Sequence, residues 1–357
     1  MRRAIVVKLG SSTLVDVRGR LRRSRLDKLG QEIATLRSNG TPVCVVSSGA
    51  IALGLGALAR TQRPTDVPGL QAASAVGQGL LLGAWQRSLS RAGGRAAQVL
   101  LTADDLQART SYLNARATLE TLLEWGVTPV VNENDSTATD EITFGDNDAL
   151  AAHVALLLRA RLLVLLTDAD GLYTRNPRDP DAELVRHVAD TSLLDKLDTS
   201  SQSASSVGSG GMRSKVVAAS MAAGGGVPCV IAGGSDPTNL ALAAAGKPVG
   251  TRFRSAESSL SAWKLWLRYG KPASGSVTVD DGARDALVKR GASLLPVGVI
   301  AVDGSFRSGD AVRIRTLKGD EIATGLIELS AADLRGQLGS RGHTEVVHRD
   351  NLVLHEH

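Results

Sequence analysis

The stretch AIVVKLG (residues 4–10), with the two segments that follow it, LDKLGQEIATLRSNG (26–40) and PVCVVSS (42–48), decides the fold of this chain. The first and third segments are short, apolar and β-branched, which is typical of buried strands. The middle segment has the length and the apolar spacing of a helix. Apolar strands separated by helices predict βα units and a mostly parallel sheet that is covered by helices on both faces.

The same alternation continues to about residue 253. Four further strand-like runs, AAQVLL, VTPVVN, RLLVLLTD and VPCVIAG, are separated by helical stretches such as SYLNARATLETLLEWG and DALAAHVALLLRA. We therefore predict an α/β fold, a three-layer αβα sandwich with a mostly parallel central sheet, over residues 1–258.

The residue pattern of the sequence changes after residue 255. AESSLSAWKLWLRYGKPASG holds two of the four tryptophans and then a Pro/Gly/Ser break. Short alternating runs follow, among them GSVTVD, PVGVIAVDGSF and TEVVHRDNLVL. We predict a linker over residues 259–273 and a small β-barrel domain over residues 274–357.

Composition narrows the class of protein. Hydrophobic residues make up 43% and charged residues 22% of the 357, which is ordinary for a folded protein. The formal charge of +5 suits an anionic substrate and permits nucleic acid without requiring it. No apolar run has bilayer length, and Lys8 interrupts the first one, so we expect a cytoplasmic protein with no membrane partner. Cys44 and Cys229 lie in Val-rich runs, which favours buried free thiols.

The glycine-rich stretch GSGGMRSK (208–215) is the first candidate for chemistry. Glycines let consecutive N–H groups turn toward one anion, and the helical pattern that follows adds a positive N-terminal end. It is not the usual nucleotide phosphate loop, because no glycine precedes Lys215. By itself this stretch fits a phosphate-binding loop and a flexible linker equally well. The basic run RGRLRRSR (18–25) is better explained as a solvated loop that enters a helix.

Polar residues also follow several predicted strands. Lys8 precedes Gly10 after the first strand, Ser48 and Gly49 follow the second, and Thr167 with Asp168 ends a later one. In open α/β sheets, ligands bind beyond the carboxyl ends of the strands. Lys8 interrupts an apolar run just before a glycine turn, so an ordinary surface position is a weaker explanation for it.

The segment VVNENDSTATDEITFGDNDAL is dense in acids and amides. Its members between residues 132 and 148 are Asn132, Glu133, Asn134, Asp135, Asp140, Glu141, Asp146, Asn147 and Asp148. Metal sites and ammonium sites use such groups. A solvated acidic loop is the alternative, but a strand leads in and an apolar helix leads out, which anchors the segment at the same sheet edge.

Six motifs carry a resemblance to a known family. VVKLGSS, SSGAIALG, VVNENDSTAT, FGDNDAL, LLTDADGLYTRNP and GSGGMRSK occur in the order and spacing of the glutamate 5-kinases (gamma-glutamyl kinases). These belong to the amino acid kinase family, and many carry a C-terminal PUA domain, which the predicted small barrel resembles. The resemblance extends over nearly the whole chain.

The resemblance implies an enzyme that phosphorylates the 5-carboxylate of L-glutamate with ATP and Mg²⁺, the first step of proline biosynthesis. It implies catalytic roles for Lys8 and Lys215, with Asp148 orienting both. By resemblance, the glutamate-binding residues are Ser48, Gly49, Asp135, which faces the α-ammonium, and Asn147. The implied nucleotide-binding residues are Lys8, Gly10, Thr167, Asp168, Ser209, Gly210, Gly211, Met212, Arg213, Ser214 and Lys215. No residue is assigned to a metal.

The resemblance also implies a homo-oligomer, dimer or tetramer, and feedback inhibition by proline. Two alternatives remain open at this stage. A sister kinase that acts on another acyl group would share Lys8 and Lys215 but not NENDSTAT. An RNA-binding protein would act through the barrel, but the barrel lacks dense basic residues and aromatic platforms, with Phe306 nearly alone. We therefore expect no RNA partner.

Overall fold

The computed structural model of the protein describes residues 2–60, 62–102, 105–106, 108–137, 147–188, 211–255, 264, 267–268, 273–340 and 344–355. The chain divides into two compact units, Met1–Ser259 and Leu260–His357. The predicted linker, 259–273, lies almost wholly outside the described residues, so its bounds stay a prediction.

The first unit contains an eight-stranded sheet. Its strands are β1 (Ile5–Leu9), β2 (Val43–Ser47), β3 (Ala96–Leu101), β4 (Thr128–Glu133), β5 (Leu162–Thr167), β6 (His187–Val188), β7 (Cys229–Gly233) and β8 (Thr251–Phe253). Their order across the sheet is β3-β4-β2-β1-β5-β7-β8-β6. The six strands from β3 to β7 in this order are parallel, whereas β8 pairs antiparallel with β7 and parallel with β6. The prediction of a mostly parallel sheet is confirmed.

Helices connect these strands. They are α1 (Ser11–Leu14), α2 (Arg23–Ser38), α3 (Ala50–Ala57), α4 (Val67–Arg91), α5 (Arg109–Glu124), α6 (Asn147–Leu157), α7 (Met212–Gly224) and α8 (Thr238–Ala244). Among the described residues, no helix combines the length and the apolar character needed to cross a membrane.

The two faces of the sheet have different partners. Ile5, Val7 and Leu9 of β1 lie in one apolar cluster with residues of α2, α4 and α8. Because successive side chains of a strand point to opposite faces, Lys8 points away from that cluster. The helices α6 and α7 pack against each other and against strands on this other face. This alternation decides which helices can reach Lys8.

The helices α3 and α4 cross at unusually short range through two glycines. A Cβ atom added to Gly54 would lie 1.8 Å from the carbonyl oxygen of Ala73, and one added to Gly77 would lie 1.8 Å from that of Ala50. Only glycine is compatible with such an approach. The crossing fixes the N-terminal half of α4 in place, and this half carries Ser74.

The second unit is built on a five-stranded mixed sheet in the order β10-β9-β11-β12-β13. Its strands are β9 (Ala273–Val279), β10 (Val299–Gly304), β11 (Ala311–Arg315), β12 (Glu321–Leu326) and β13 (Leu352–Leu354). Its described residues also include the helices α9 (Asp281–Arg290) and α10 (Ala331–Gly336) and the short 3₁₀ turns Pro296–Gly298 and Arg349–Asn351. The prediction of a separate small β domain is confirmed by this five-stranded sheet, whereas α9 and α10 were not predicted. Phe306 is buried in the core of this unit.

Both cysteines are buried and free, as predicted. Cys44 lies on β2 and Cys229 on β7, and burial raises the pKa of each thiol above its ordinary range. The basic run at residues 18–25 forms an exposed turn that enters α2, also as predicted.

Candidate active site

The parallel strands bring the polar strand ends together. β1, β2, β4 and β5 are joined in register, so Lys8, Ser47, Glu133 and Thr167 all lie at or next to the carboxyl edge of the same sheet. The loops and helix N-termini that follow these strands therefore surround one region, as is usual for ligand sites in open α/β sheets.

The centre of the site is a carboxylate between two lysines. The Lys8 ammonium contacts Oδ1 of Asp148, and Lys215 Nζ lies 3.1 Å from Oδ2 of the same side chain. Lys8 is 2% exposed, Lys215 5% and Asp148 0%. Two buried ammonium groups thus lie on one buried carboxylate.

The two helices that supply this cluster meet at their N-termini. Asp148 lies in the first turn of α6 and Lys215 in the first turn of α7. Gly211 caps α7 without a side-chain hydrogen bond. Ser214 Oγ lies 3.0 Å from Asp148 Oδ2 and 2.9 Å from the Gly211 carbonyl. A helix N-terminus favours an anion. Two such termini beside two ammoniums are suited to bind a phosphate group.

A network of amides and a hydroxyl lies beside the cluster. Asn147 Nδ2 donates to Ser48 Oγ and to Asn132 Oδ1, both at 2.8 Å. The other amide atom, Asn147 Oδ1, is buried and accepts no hydrogen bond from the residues that the structure describes. A buried acceptor of this kind needs a donor, and an ammonium group can supply one.

Asp135 lies two residues beyond β4 and is held by α4. Ser74 Oγ donates to Asp135 Oδ2, and Gln78 of the same helix donates to the Glu133 carbonyl at 3.2 Å. Burial raises the pKa of the Asp135 carboxyl, while the hydrogen bond from Ser74 and the charge of Arg63 act in the opposite direction. The result is a partly buried acid with one oxygen already bonded.

Three of the predicted nucleotide residues, Gly10, Thr167 and Asp168, lie at the ends of β1 and β5. Thr167 is buried and donates to Asp168 Oδ1 at 2.9 Å. Gly10 donates to the Leu166 carbonyl across the strand ends, at 3.5 Å. Gly49, one of the predicted glutamate-binding residues, has φ +110°, a left-handed conformation that glycine adopts without strain, and it is the N-cap of α3.

The structure also places most of the glycine-rich segment. Gly211 precedes α7, Met212 is buried in its first turn and Arg213 is exposed. The predicted residues Ser209 and Gly210 lie outside the described residues, and so do Asp140, Glu141 and Asp146 of the acidic segment.

Three site residues were not singled out from the sequence. Asn132 stood only among the many polar residues of its segment, and the structure bonds it to Asn147. Ser74 and Gln78 lie in a stretch that looks apolar and structural, QAASAVGQGLLLGAW. No local signal marks them, because their partners Asp135 and Glu133 are more than fifty positions away.

The described residues present no group of three or more His, Cys, Asp or Glu side chains that could hold a metal ion. At the centre of the site, Asp148 already contacts both lysines.

Comparisons with known proteins identify the family to which the chain is similar. The model of the amino acid kinase family matches residues 3–233, and that of the PUA domain matches residues 275–349. The two matches fall within the two compact units of the structure.

Full-length relatives give a narrower match. The glutamate 5-kinase of Geobacter metallireducens is 45% identical over 98% of this chain and 97% of its own length. Those of Trichlorobacter lovleyi and Streptomyces avermitilis are 45% and 44% identical over 99% of this chain, and over 97% and 96% of theirs.

Among solved structures, the carbamate kinase of Giardia lamblia bound to AMP-PNP aligns with a TM-score of 0.52. The alignment covers 71% of this chain and 99% of that one, at 20% identity. At this identity the likeness concerns the fold alone.

Proposed function

The chain belongs to the amino acid kinase family, among its glutamate 5-kinases, and we infer that it transfers the γ-phosphoryl group of ATP to the 5-carboxylate of L-glutamate. The product is L-glutamyl 5-phosphate, which begins proline biosynthesis. One structural observation is the main support for placing the reaction at this site. Lys8, Asp148 and Lys215 form a buried cluster at the sheet edge that also presents the amide of Asn147 and the carboxylate of Asp135.

The reaction needs no general base. A side-chain carboxylate is already ionised near neutral pH, so its oxygen can attack directly. A bond forms between this oxygen and the γ-phosphorus, and the bond from that phosphorus to the bridging oxygen breaks, leaving ADP. The protein has to bring two anions into line and to balance the charge that develops between them.

Lys8 and Lys215 perform this balancing. Both ammoniums are buried and lie on one carboxylate, so they reach the site from β1 and from α7 at the same time. In a buried site, such charges stabilise a transferring phosphoryl group more strongly than they would in water. A lysine also suits a phosphate whose oxygens move during the reaction, because it acts as a point charge.

Asp148 orients the two lysines. It has no exposed surface and contacts both ammoniums, so it holds them in position before substrate arrives and reduces their mutual repulsion. Ser214 Oγ lies within hydrogen-bond distance of the same carboxylate and adds to its placement.

The amide and acid groups beside this cluster bind glutamate. Asp135 pairs with the α-ammonium, and Asn147 Oδ1, which is buried without a donor among the described residues, accepts a hydrogen bond from the substrate. Ser48 anchors Asn147, and Gly49 caps the N-terminus of α3 next to it.

The nucleotide lies against Gly10, Thr167, Asp168 and the segment from Ser209 to Lys215. We propose that Mg²⁺ enters on the phosphates of ATP. When bound there, Mg²⁺ supplies positive charge to the phosphate oxygens. We assign no protein residue to it.

The remaining proposals follow from the family. We propose feedback inhibition by proline and a homo-oligomer of two or four chains, the latter to be measured by light scattering coupled to size-exclusion chromatography. A cytoplasmic location agrees with two buried free cysteines. We propose no RNA partner, because Phe306, which could have stacked on a base, is buried in the core of the second unit.

A hydroxamate trap of the acyl phosphate tests this function, with ADP release measured in parallel. L-Glutamate should give a strong signal, whereas N-acetyl-L-glutamate should fail because it lacks the positive charge that Asp135 pairs with. Leaving a buried charge unpaired costs about 3–5 kcal/mol. L-Aspartate, one methylene shorter, should also react poorly, since a misplacement of about 1 Å can cost about a hundredfold in rate.

The Asp135→Ala variant provides a second test of the proposed function. It should raise the KM for glutamate sharply and leave the KM for ATP nearly unchanged. A comparable signal with the acetylated substrate would move the protein to a sister kinase and would remove this role from Asp135.

A further inference from the structure

We infer that Ser74 is a positioning residue for glutamate: its hydroxyl holds the Asp135 carboxylate in the orientation that receives the substrate ammonium. This inference rests on the proposed function of the site and adds a residue from α4 to it. Neither the six motifs nor the polar strand ends include this position.

Ser74 makes a buried side-chain hydrogen bond to Asp135. Ser74 is 1% exposed, and its Oγ donates to Asp135 Oδ2, a residue 61 positions later in the chain. Because one carboxylate oxygen is held in this way, the bond fixes the side-chain torsion of Asp135 and so the orientation that its carboxylate presents to a ligand.

Several separate contacts fix the position of α4, so the Ser74 hydroxyl is a rigid donor. The glycine crossing at Gly54 and Gly77 locks α4 against α3. Four residues after Ser74, Gln78 donates to the carbonyl of Glu133, and further along Trp85 Nε1 donates to Ser47 Oγ at 3.0 Å. The helix is therefore anchored to β4 and β2, the two strands whose ends bracket the glutamate site.

The charged groups near Asp135 show why the Ser74 hydroxyl matters for its carboxylate. Arg63, in the segment between α3 and α4, is the positive group that acts on Asp135, and Glu133 is the neighbouring acid on β4. α4 carries no charged side chain between Val67 and Gln86. The stabilisation that α4 gives to the Asp135 carboxylate therefore comes from the neutral Ser74 hydroxyl.

The same contact has a pH signature. Burial raises the pKa of Asp135, and the Ser74 bond lowers it. Removing the hydroxyl should raise the pKa further, so a larger fraction of Asp135 would be protonated in mildly acidic solution. A protonated Asp135 cannot pair with an ammonium. The acidic limb of kcat/KM for glutamate should therefore move to higher pH.

Ser74→Ala and Ser88→Ala form the experimental pair. Ser88 is also a buried serine on α4, but its Oγ donates to the backbone carbonyl of Leu26 at 2.8 Å, away from the site. Ser74→Ala should raise the KM for glutamate about tenfold, the effect of losing a hydrogen bond to a charged group. Its kcat and its KM for ATP should stay near wild type. Ser88→Ala should change neither the glutamate KM nor the pH profile.

A double-mutant cycle makes the test specific. If Ser74 acts through Asp135, then Ser74→Ala in an Asp135→Ala background should add almost nothing to the KM for glutamate. Ser74→Cys, which keeps the side chain close to its native size with a weaker donor, should shift the glutamate KM in the same direction as Ser74→Ala.

Several results would overturn the inference. They are an unchanged glutamate KM and pH profile in both Ser74 variants, additive effects in the double mutant, or equal losses for glutamate and ATP in Ser74→Ala. Its failure can be told apart from failure of the proposed function. If wild-type protein gives no hydroxamate with glutamate, the function itself is wrong. If wild type is active and Asp135→Ala raises the glutamate KM, only the role of Ser74 is lost.

Discussion

Asp148→Asn is the most informative change at the lysine cluster. Asparagine keeps the shape of the side chain and removes its charge. In the wild type, one carboxylate with no exposed surface contacts two ammoniums that are 2% and 5% exposed. The substitution leaves two buried positive charges with no anion from Asp148, and it turns an amide donor toward one of them.

The expected magnitude follows from this burial. Breaking a buried ion pair by removing one partner costs about 3–5 kcal/mol, because the remaining charge has no compensation. Total stabilities are about 5–15 kcal/mol, so the loss is a large part of the whole. For a unit of this size, the melting temperature should fall by about 10 °C. Since the lysines also lose their orientation, kcat should fall by about two to three orders of magnitude.

ATP should partly reverse the loss of stability. Its phosphates bring the negative charge that the variant lacks, so ATP should raise the melting temperature of Asp148→Asn more than that of wild type. The measurement is thermal unfolding with and without ATP, followed by circular dichroism, together with steady-state rates of ADP release.

Asp27→Asn is the matched control. Asp27 pairs with Arg91 at 2.7 Å, but this pair lies on the surface, with side chains that are 36% and 68% exposed. An exposed pair contributes about 0–1 kcal/mol, so this variant should stay close to wild type in stability and rate. If Asp148→Asn behaved like Asp27→Asn in both measurements, the reasoning about a buried charge cluster would be refuted.

Three further predictions concern separate parts of the molecule. Lys8→Ala and Lys215→Ala should each lower kcat by about two to three orders of magnitude with much smaller effects on the glutamate KM, and near-wild-type turnover in either would refute their role. Residues 1–258 alone should fold and phosphorylate glutamate, since every motif of the site lies within them; an inactive or insoluble fragment would show that the second unit completes the kinase. Burial lowers the pKa of His153 to about 3, whereas an unfolded imidazole titrates near 6.5. Because only the unfolded state takes up this proton between these values, its contribution to stability should fall by about 1.4 kcal/mol per pH unit as the pH drops below 6.5. Urea unfolding of wild type and His153→Leu between pH 7 and 4 tests this, and an identical pH slope in both would contradict it.

Much of the architecture could be predicted because it depends on local periodicity. Runs such as AIVVKLG and PVCVVSS are short, apolar and bounded by helices, and a strand buried on both faces needs that pattern. The glycine turn after Lys8 and the polar residues after β2 and β5 predicted one ligand edge, because parallel strands place their carboxyl ends together.

The small unit shows where periodicity is insufficient. Its strands alternate clearly, and this alternation predicted a small β-barrel domain there. DGARDALVKR became α9, although its apolar residues are few and only Leu287 of the helix is buried. The N-cap at Asp280, whose side chain accepts from Ala283 N–H at 2.6 Å, starts this helix. A short helix with little apolar surface depends on its cap and on the sheet beside it, which the alternation of strands does not reveal.

The sequence alone determined which residue types stand at the strand ends, since that follows from nearest-neighbour pattern and turn chemistry. Only the tertiary structure decided which face Lys8 points to, and hence that Asp148 and Lys215 meet there from α6 and α7. It alone decided that Ser74 reaches Asp135 across 61 positions. The physical reason is that such contacts depend on how helices pack, here through glycines that allow α3 and α4 to approach closely, and packing is a property of the whole unit rather than of any segment.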